Sequence, residues 1–332
     1  MIRFEVIDYL KGYSIITVVL MHLFQDYLSM PNIINKALSL GGAGVHVFIF
    51  CSGFGLFYSS LNKPLSYKSF LKKRFIKIYI PYIVIIIISS LIPFMYNYSH
   101  KFVAVLSHVF LFKMFSNKYE CSFGGQFWFL STIIQFYLIF NLLIYCKNRL
   151  NSNKKFITLS LGLSVCWWMI TGILGKTEIR VWGSFFIQYL WEFSLGMVLA
   201  DIIYRNNGKF TLPKKSILLF ISILLLSLYG FVAIKGGVLK LFDDIPSLLG
   251  YGGLALFVYS LNIKVINKTI IKLSSFSYEL YLVHILIFSC IFKLFNNIKS
   301  QILIAIISIV VSIVVSKLYN IFLRKLLNFK LG

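Results

Sequence analysis

The first apolar segment of the chain carries four ionisable side chains on one helical face. Lys11 and His22 are eleven residues apart. At about 100° per residue they point in nearly the same direction on an α-helix, about 16 Å apart along its axis. Asp8 and Asp26 fall on the same stripe, and Asp26 follows His22 by four residues, where its carboxylate can orient the imidazole. A neutral imidazole is the usual general base for a hydroxyl group. Because such side chains are costly in hydrocarbon, we expect them to face a cavity.

The surrounding sequence has the composition of an integral membrane protein. Of its 332 residues, 59% are hydrophobic and 13% are charged, a balance that soluble globular domains do not show. We predict an all-α protein of about ten transmembrane helices, forming a single membrane-embedded domain over 1–332 with no appended soluble domain. The predicted spans are 9–28, 40–61, 78–97, 127–146, 156–175, 185–203, 216–235, 246–262, 277–295 and 301–323. A further apolar stretch, 102–115, is too short to span and is predicted to be interfacial or re-entrant.

The excess of basic residues predicts the orientation of these spans. The chain has 33 Lys and Arg against 10 Asp and Glu, a formal net charge of +23. Most of the basic residues fall in alternate short connections, as the positive-inside rule requires of cytoplasmic connections. We therefore expect both termini to be cytoplasmic, with membrane lipids and no nucleic acid among the partners. Lys11 then lies at the cytoplasmic face, and His22 lies past the midplane toward the outside.

The cysteines form no recognisable framework. None belongs to a Cys-x-x-Cys pair, and we interpret them as small apolar residues. We expect no disulfide and no bound metal. The cysteines are Cys51, Cys121, Cys146, Cys166 and Cys290.

The second predicted helix is rich in small residues. Ser52 and Gly53 belong to a pattern that lets another backbone, or a thin ligand, approach closely. Helix packing alone would explain it. His46 lies near the outer end of this helix, at a depth similar to that of His22. We interpret it as a second polar group of the site or as a structural histidine.

Two further segments present polar groups from the cytoplasmic side. Arg74 and Lys77 lie one helical turn apart before the third span, where basic residues ordinarily anchor a helix. The alternative is a clamp for a phosphorylated cytosolic molecule, for which Arg is well suited. On the ninth predicted helix, Ser277, Tyr281 and His284 share a face about 60° wide. A second polar stripe predicts that the first and ninth helices line one cavity.

These segments together resemble the acyltransferase 3 family of membrane acyltransferases, over nearly the whole chain. Asp8 to Gly12 is similar to the opening Asp-x-(Leu)-Arg-Gly motif of the family. Lys11 and His22 reproduce its signature of Arg or Lys, ten residues and His. Lys77 stands where Arg is commoner in the family, so it keeps the charge but loses bidentate geometry. Four further signatures are similar to Gly44–Phe54, Arg74–Pro81, Trp128–Ser131 and Ser277–His284.

The resemblance implies a membrane-bound O-acyltransferase of the bacterial cytoplasmic membrane. Its expected donor is cytosolic acetyl-CoA or a similar acyl-CoA, with no tightly bound cofactor. Its expected acceptor is a hydroxyl of a surface polysaccharide or a lipid-linked glycan at the outer side. His22 would act as general base or would convey the acyl group onward, and Asp26 would orient it.

The resemblance also implies roles for the remaining candidate residues. Donor-binding residues would be Lys11, Arg74, Lys77, Ser52 and Gly53. Cavity-lining residues would be Asp8, His46, Ser277, Tyr281 and His284. Trp128 would lie on the acceptor side, and Glu120 is placed there by its position just before the Trp128 segment.

Two other classes of membrane protein also carry membrane-embedded His and Asp. A proton-coupled transporter would require a pair of broken helices in the two halves, and the sequence shows none. A polysaccharide polymerase or flippase would need no basic clamp on the cytoplasmic side.

Overall fold

The computed structural model describes residues 4–28, 31–95, 100–295 and 300–326, and these residues form helices and connections without a strand. The predicted all-α class is confirmed. The α-helices in chain order are α1 Glu5–Tyr27, α2 Asn32–Ser39, α3 Gly44–Asn62, α4 Tyr67–Arg74, α5 Ile80–Ser90, α6 Lys101–Val109, α7 Trp128–Leu150, α8 Asn153–Ile173, α9 Arg180–Gly183, α10 Leu190–Arg205, α11 Lys215–Lys235, α12 Asp244–Pro246, α13 Gly252–Ser260, α14 Lys264–Ser274, α15 Ser277–Leu294 and α16 Gln301–Leu326.

Shorter helical turns extend or join several of these helices. The 3₁₀ turns are Leu40–Ala43, Pro93–Met95, Lys113–Phe115, Gly125–Phe127, Phe186–Tyr189 and Gly237–Phe242. The π turns are Phe75–Tyr79 and Ser247–Tyr251.

Within the described ranges, nine helical segments are long and apolar enough to cross a membrane. A hydrocarbon layer about 30 Å thick needs about 20 predominantly apolar residues per helix, which these segments supply. The chain therefore has the architecture of a multi-pass membrane protein. The segments are Glu5–Tyr27, Leu40–Asn62, Gly125–Leu150, Asn153–Ile173, Phe186–Arg205, Lys215–Lys235, Gly237–Ser260, Ser277–Leu294 and Gln301–Leu326.

The third predicted span, 78–97, is part of a longer and more polar helix. α4, the π turn Phe75–Tyr79 and α5 follow one another without a break from Tyr67 to Ser90. This stretch is about 36 Å long at 1.5 Å per residue, enough for a tenth crossing. The π turn has a local cause. Pro81 has no N–H, so the i→i−4 hydrogen bond at that position is missing, and the helix widens there. Residues 96–97 of the predicted span lie outside the described residues.

The apolar stretch 102–115 does not span the membrane, as predicted. It forms the short helix α6 and the 3₁₀ turn Lys113–Phe115. Neither is long enough to cross a bilayer.

The first helix, α1, lies at the centre of the fold and packs against α3, α13, α14 and α15. Its contact with α14 depends on Gly12, where a Cβ atom would lie 2.0 Å from the carbonyl oxygen of Ile270. Only glycine allows two backbones this close. The sequence did not indicate α14, because its apolar residues alternate with lysines over only eleven residues.

α3 and α10 are in direct backbone contact through two glycines. A Cβ atom on Gly53 would lie 2.1 Å from the carbonyl oxygen of Phe193, and one on Gly196 would lie 2.1 Å from that of Phe50. On each helix, a glycine thus lies directly against the backbone of the other helix. Such close packing is typical of membrane helices. The contact fixes the first turn of α3, which contains His46, relative to the first turn of α10, which contains Glu192.

Candidate active site

His22 lies near the end of α1 between a carboxylate and a second imidazole. Its Nδ1 lies 3.2 Å from Oδ2 of Asp26, at the spacing of one helical turn. Its ring centroid lies 5.3 Å from that of His284 on α15. The His22 side chain is 18% exposed and that of Asp26 is 52% exposed, so both remain open to small molecules. The polar stripes of α1 and α15 therefore meet at their histidines.

His284 is fully buried and has one free hydrogen-bonding nitrogen. Its Nδ1 lies 3.0 Å from the carbonyl oxygen of Leu280, to which it donates a proton in hydrogen bonding. Its Nε2 has no hydrogen-bond partner among the described residues. In this tautomer Nε2 carries a lone pair. The ring next to His22 is therefore a neutral acceptor.

Tyr281 anchors this part of α15. Its hydroxyl donates a hydrogen bond to the carbonyl oxygen of Gln126 at 2.5 Å, and its ring packs edge-on against Phe129 with centroids 5.5 Å apart. The ring centroids of Tyr281 and His284 are 6.3 Å apart. Tyr281 thus fixes His284 relative to the start of α7.

The other two polar groups at the start of α15 have partners away from His22. The hydroxyl of Ser277 donates to the carbonyl oxygen of Ser274 at 3.0 Å, within the same turn. Glu279 points away from this face and accepts a hydrogen bond from Asn320 of α16 at 2.8 Å. Of the predicted stripe, His284 therefore lies beside His22, while Ser277 and Tyr281 support the helix that carries it.

At the opposite end of α1, three basic side chains converge from two helices. Lys77 lies within electrostatic range of Lys11 and Arg74, and Lys77 is exposed. Nε of Arg74 is buried with no hydrogen-bond partner among the described residues. Its guanidinium carbon lies 5.5 Å from the ring centroid of Phe70. Glu279 also lies within electrostatic range of Lys77 and offsets part of this repulsion. The excess positive charge suits a bound anion.

Two tyrosines hold the π turn that presents Lys77. The hydroxyl of Tyr278 on α15 donates to the carbonyl oxygen of Ile78 at 2.6 Å. The hydroxyl of Tyr319 on α16 donates to the carbonyl oxygen of Pro81 at 2.7 Å. Ile78 belongs to the π turn and Pro81 follows it, so these hydroxyls tie the turn to α15 and α16.

The two candidate donor-binding residues of α3 have different surroundings. Cys51 lies within electrostatic range of Lys11 and Asp8, which places this part of α3 beside the first half of α1. Ser52 is half-buried next to it. Gly53 is packed against Phe193, as described above, and we assign it to helix packing.

A second buried polar cluster lies where α3, α10 and α12 begin. Nδ1 of His46 lies 2.7 Å from Oε1 of Glu192 and 3.7 Å from Oδ1 of Asp244. The carboxamide of Gln188 donates to Oδ2 of Asp244 at 2.7 Å. Sequence reasoning identified His46 but missed both carboxylates. Glu192 could have been identified from the sequence, because a carboxylate inside an apolar span is itself a candidate functional residue.

Aromatic rings at the start of α7 separate the two histidine clusters. The ring of Trp128 lies 5.8 Å from that of Tyr189, and the ring of Tyr189 lies 5.6 Å from that of His46. The next residue, Phe129, contacts α15. The guanidinium of Arg180 lies 5.3 Å above Trp128. Trp128 therefore stands beside the His46 cluster, at the end of the fold opposite the basic residues.

A cleft of about 210 Å³ opens beside the His22–His284 pair. Its lining residues are Phe94, Met95, Cys121, Phe123, Gly124, Ile285 and Ser289. Ile285 directly follows His284, and Oγ of Ser289 lies 2.7 Å from the hydroxyl of Tyr27 near the end of α1. The cleft thus borders α15 at the point where Ser289 contacts the end of α1.

Glu120 lies near this cleft but faces the protein. Its Oε2 is buried with no hydrogen-bond partner among the described residues, and the same is true of Nζ of Lys113. Burial lowers the pKa of Lys113 to about 7, and the neighbouring Cys121 and Glu120 partly oppose this shift. Nζ of Lys113 lies 5.5 Å from the ring centroid of Phe127, so this buried lysine lies outside the histidine clusters.

Comparison with known proteins adds one finding to this geometry. A protein-family model described as an acyltransferase domain matches residues 4–320. The match extends from the residue before α1 into α16, so it includes the histidines, the basic residues and the buried carboxylates. No curated protein and no solved structure matches the chain.

Proposed function

The chain belongs to the acyltransferase 3 family, and we propose that it transfers an acetyl group from cytosolic acetyl-CoA to a glycan hydroxyl. The proposed acceptor is a surface polysaccharide or a lipid-linked glycan at the outer side of the bacterial cytoplasmic membrane. The observation that carries the proposal is the hydrogen-bonded pair His22–Asp26, which lies against His284. It stands at one end of a helix whose other end gathers three cations.

The basic end of α1 supports an acyl-CoA as donor. Coenzyme A carries several phosphate groups at one end and a thiol at the other, joined by a long, thin pantetheine arm. Lys11, Arg74 and Lys77 are suited to phosphates because they are cationic and supply N–H donors. The acyl group would then lie toward His22, about 16 Å further along α1. Ser52 would lie beside the arm.

The pair His22–Asp26 supports general base catalysis. His22 takes the proton of the acceptor hydroxyl, and the hydroxyl oxygen attacks the thioester carbonyl carbon. The new C–O bond forms, the C–S bond breaks, and the departing thiolate takes up the proton from the imidazolium. Asp26 orients the imidazole and stabilises its charged form. His284 is a neutral hydrogen-bond acceptor, so it adds no positive charge beside the imidazolium of His22.

The cleft beside His284 supports entry of the acceptor from the side opposite the basic residues. Its aromatic lining, which includes Phe94 and Phe123, suits the apolar faces of a sugar ring. Trp128 and Glu120 lie on the same side of the fold. An acceptor in this cleft would present a hydroxyl to His22 without crossing the membrane.

Mass spectrometry of the surface glycan tests this proposal. Cells that make the protein should show an acetyl-sized mass increase on their glycan, which cells without it lack. The His22→Ala variant, made at the same level, should lose the modification, since general base catalysis contributes about 10²- to 10⁴-fold. The His100→Ala variant, changed at an exposed histidine far from α1 in sequence, should retain it. Full acetylation by His22→Ala would show that the catalytic assignment is wrong.

A further inference from the structure

We propose that His46, Glu192 and Asp244 bind a divalent transition-metal ion, with Zn²⁺ the best match to the ligand set. The three side chains come from α3, α10 and α12, and one ligand atom from each lies within 4.8 Å of the others. This site is separate from the His22–Asp26 pair and does not depend on the proposed acyl transfer.

The burial of the two carboxylates is the first argument for a cation. Glu192 is 0% exposed and Asp244 is 3% exposed. A buried carboxylate is strongly destabilising unless it is paired or coordinates a metal. In the described part of the chain, His46 is the one cationic group recorded within 4 Å of both carboxylates. Protonated His46 supplies one positive charge against these two carboxylates and the neighbouring Asp243, whereas a divalent ion with neutral His46 neutralises the two carboxylates that bind it.

A free ligand atom is the second argument. Oε1 of Glu192 faces His46, but Oε2 is buried and has no hydrogen-bond partner among the described residues. A metal-bound carboxylate can use one or both of its oxygens, so Oε1 and the free Oε2 are both candidate ligand atoms. In Asp244, Oδ2 accepts a hydrogen bond from Gln188 at 2.7 Å. Its other oxygen, Oδ1, faces His46. An amide that orients a coordinating carboxylate is typical of metal sites.

The ligand chemistry selects the metal. Imidazole nitrogen with carboxylate oxygens suits zinc and other first-row transition metals, whereas magnesium and calcium prefer oxygen ligands alone. Ligands about 2.0–2.2 Å from a tetrahedral zinc lie about 3.4 Å apart, which falls between the 2.7 Å and 3.7 Å that separate Nδ1 of His46 from the two carboxylates. Three protein ligands leave a fourth position for water or another ligand.

Metal analysis of the purified protein tests the site. Tag-free protein in detergent is stripped with a chelator, reloaded with ZnCl₂ and desalted, and its zinc content is measured by elemental mass spectrometry. We expect about one zinc per chain. Unfolding followed by tryptophan fluorescence should show a higher Tm with zinc than with magnesium, because a ligand that binds only the folded state stabilises it.

Matched variants locate the ion. Glu192→Gln and Asp244→Asn keep the side-chain shape and should weaken zinc binding by about tenfold or more. Glu178→Gln, changed at an exposed carboxylate paired with Lys240, and His22→Ala should bind zinc like the wild type. The proposal is overturned if reloaded wild-type protein holds less than about 0.1 zinc per chain with no change in Tm, or if both ligand variants keep wild-type affinity. The wild-type result decides the matter if a variant fails to fold.

Discussion

At the scale of single residues, His22 obtains its carboxylate partner from its own helix. Asp26 is one turn further along α1, so the 3.2 Å contact follows from helix geometry and could be predicted from spacing alone. The contact with His284 required a second polar stripe on another helix. The carboxylates near His46 could not be predicted in the same way, because α3, α10 and α12 are far apart in the sequence and their meeting depends on how the helices pack.

The orienting role of Asp26 can be measured directly. Asp26→Asn removes the negative charge that stabilises the imidazolium but keeps the shape, so we expect kcat to fall with little change in the KM for acetyl-CoA. We expect a loss of about tenfold to a hundredfold, less than for His22→Ala, because Asp26 is half exposed and solvent screens its charge. Gln25→Ala, changed at the neighbouring residue, should keep the wild-type kcat. Equal kinetics for Asp26→Asn and wild type would remove Asp26 from the mechanism.

Lys113 predicts a pH dependence of stability. Its pKa is about 7 in the folded protein against an ordinary value of 10.5. Between these values the folded state binds fewer protons than the unfolded state, so the stability of the wild type rises with pH in this window. Lys113→Met removes the buried charge. Its Tm advantage over the wild type should therefore be largest near pH 6 and shrink toward pH 10.

Thermal unfolding at several pH values measures this effect. Lys118→Met, changed at an exposed lysine in the same connection, should show no such trend. A difference in Tm between Lys113→Met and wild type that stays constant from about pH 6 to pH 10 would contradict the assigned shift.

At the scale of elements, the long apolar helices follow directly from composition, and the less regular elements do not. α14 escaped prediction because it is short and amphipathic. The third span was predicted to start at residue 78, whereas the helix begins at Tyr67. The first part of this helix is rich in basic residues, which is not typical of a membrane-spanning segment. The π turn that places Lys77 depends on Pro81 and on hydroxyls from α15 and α16. The contacts between Tyr278 and Ile78 and between Tyr319 and Pro81 join residues that are 200 and 238 positions apart in the sequence.

The paired glycines of α3 and α10 give a test at this scale. Gly53→Ala would place a methyl group 2.1 Å from a backbone oxygen, which forces the helices apart. We expect a loss of stability of about 1–3 kcal/mol, the usual range for overpacking, seen as a lower Tm in detergent. Gly55→Ala is the matched control on the same helix, since a Cβ atom there meets nothing within 4 Å. Equal Tm values for the two variants would show that the close packing is not as described.

At the scale of the whole molecule, α1 joins two chemically different ends. One end gathers Lys11, Arg74 and Lys77, and the other carries His22 beside the aromatic cleft. The positive-inside pattern predicts that the basic end is cytoplasmic. A donor would then be held on one side of the membrane and an acceptor approached from the other. This direction stays a prediction, drawn from loop charge along the whole chain.

Transfer across a sealed membrane tests this account most directly. The protein is reconstituted in proteoliposomes, and lipid-linked glycan from cells that lack the protein is supplied as acceptor. Orientation is read on separate samples of a Cys166→Ser variant by labelling Cys121 with an impermeant thiol reagent, since both cysteines are exposed and Cys121 lines the cleft. Labelled acetyl-CoA, which does not cross the bilayer, is added on one side only. We predict acetylated glycan when acetyl-CoA is on the side opposite Cys121 and the glycan is on the Cys121 side. Acetylation only when both substrates share one side would contradict the account.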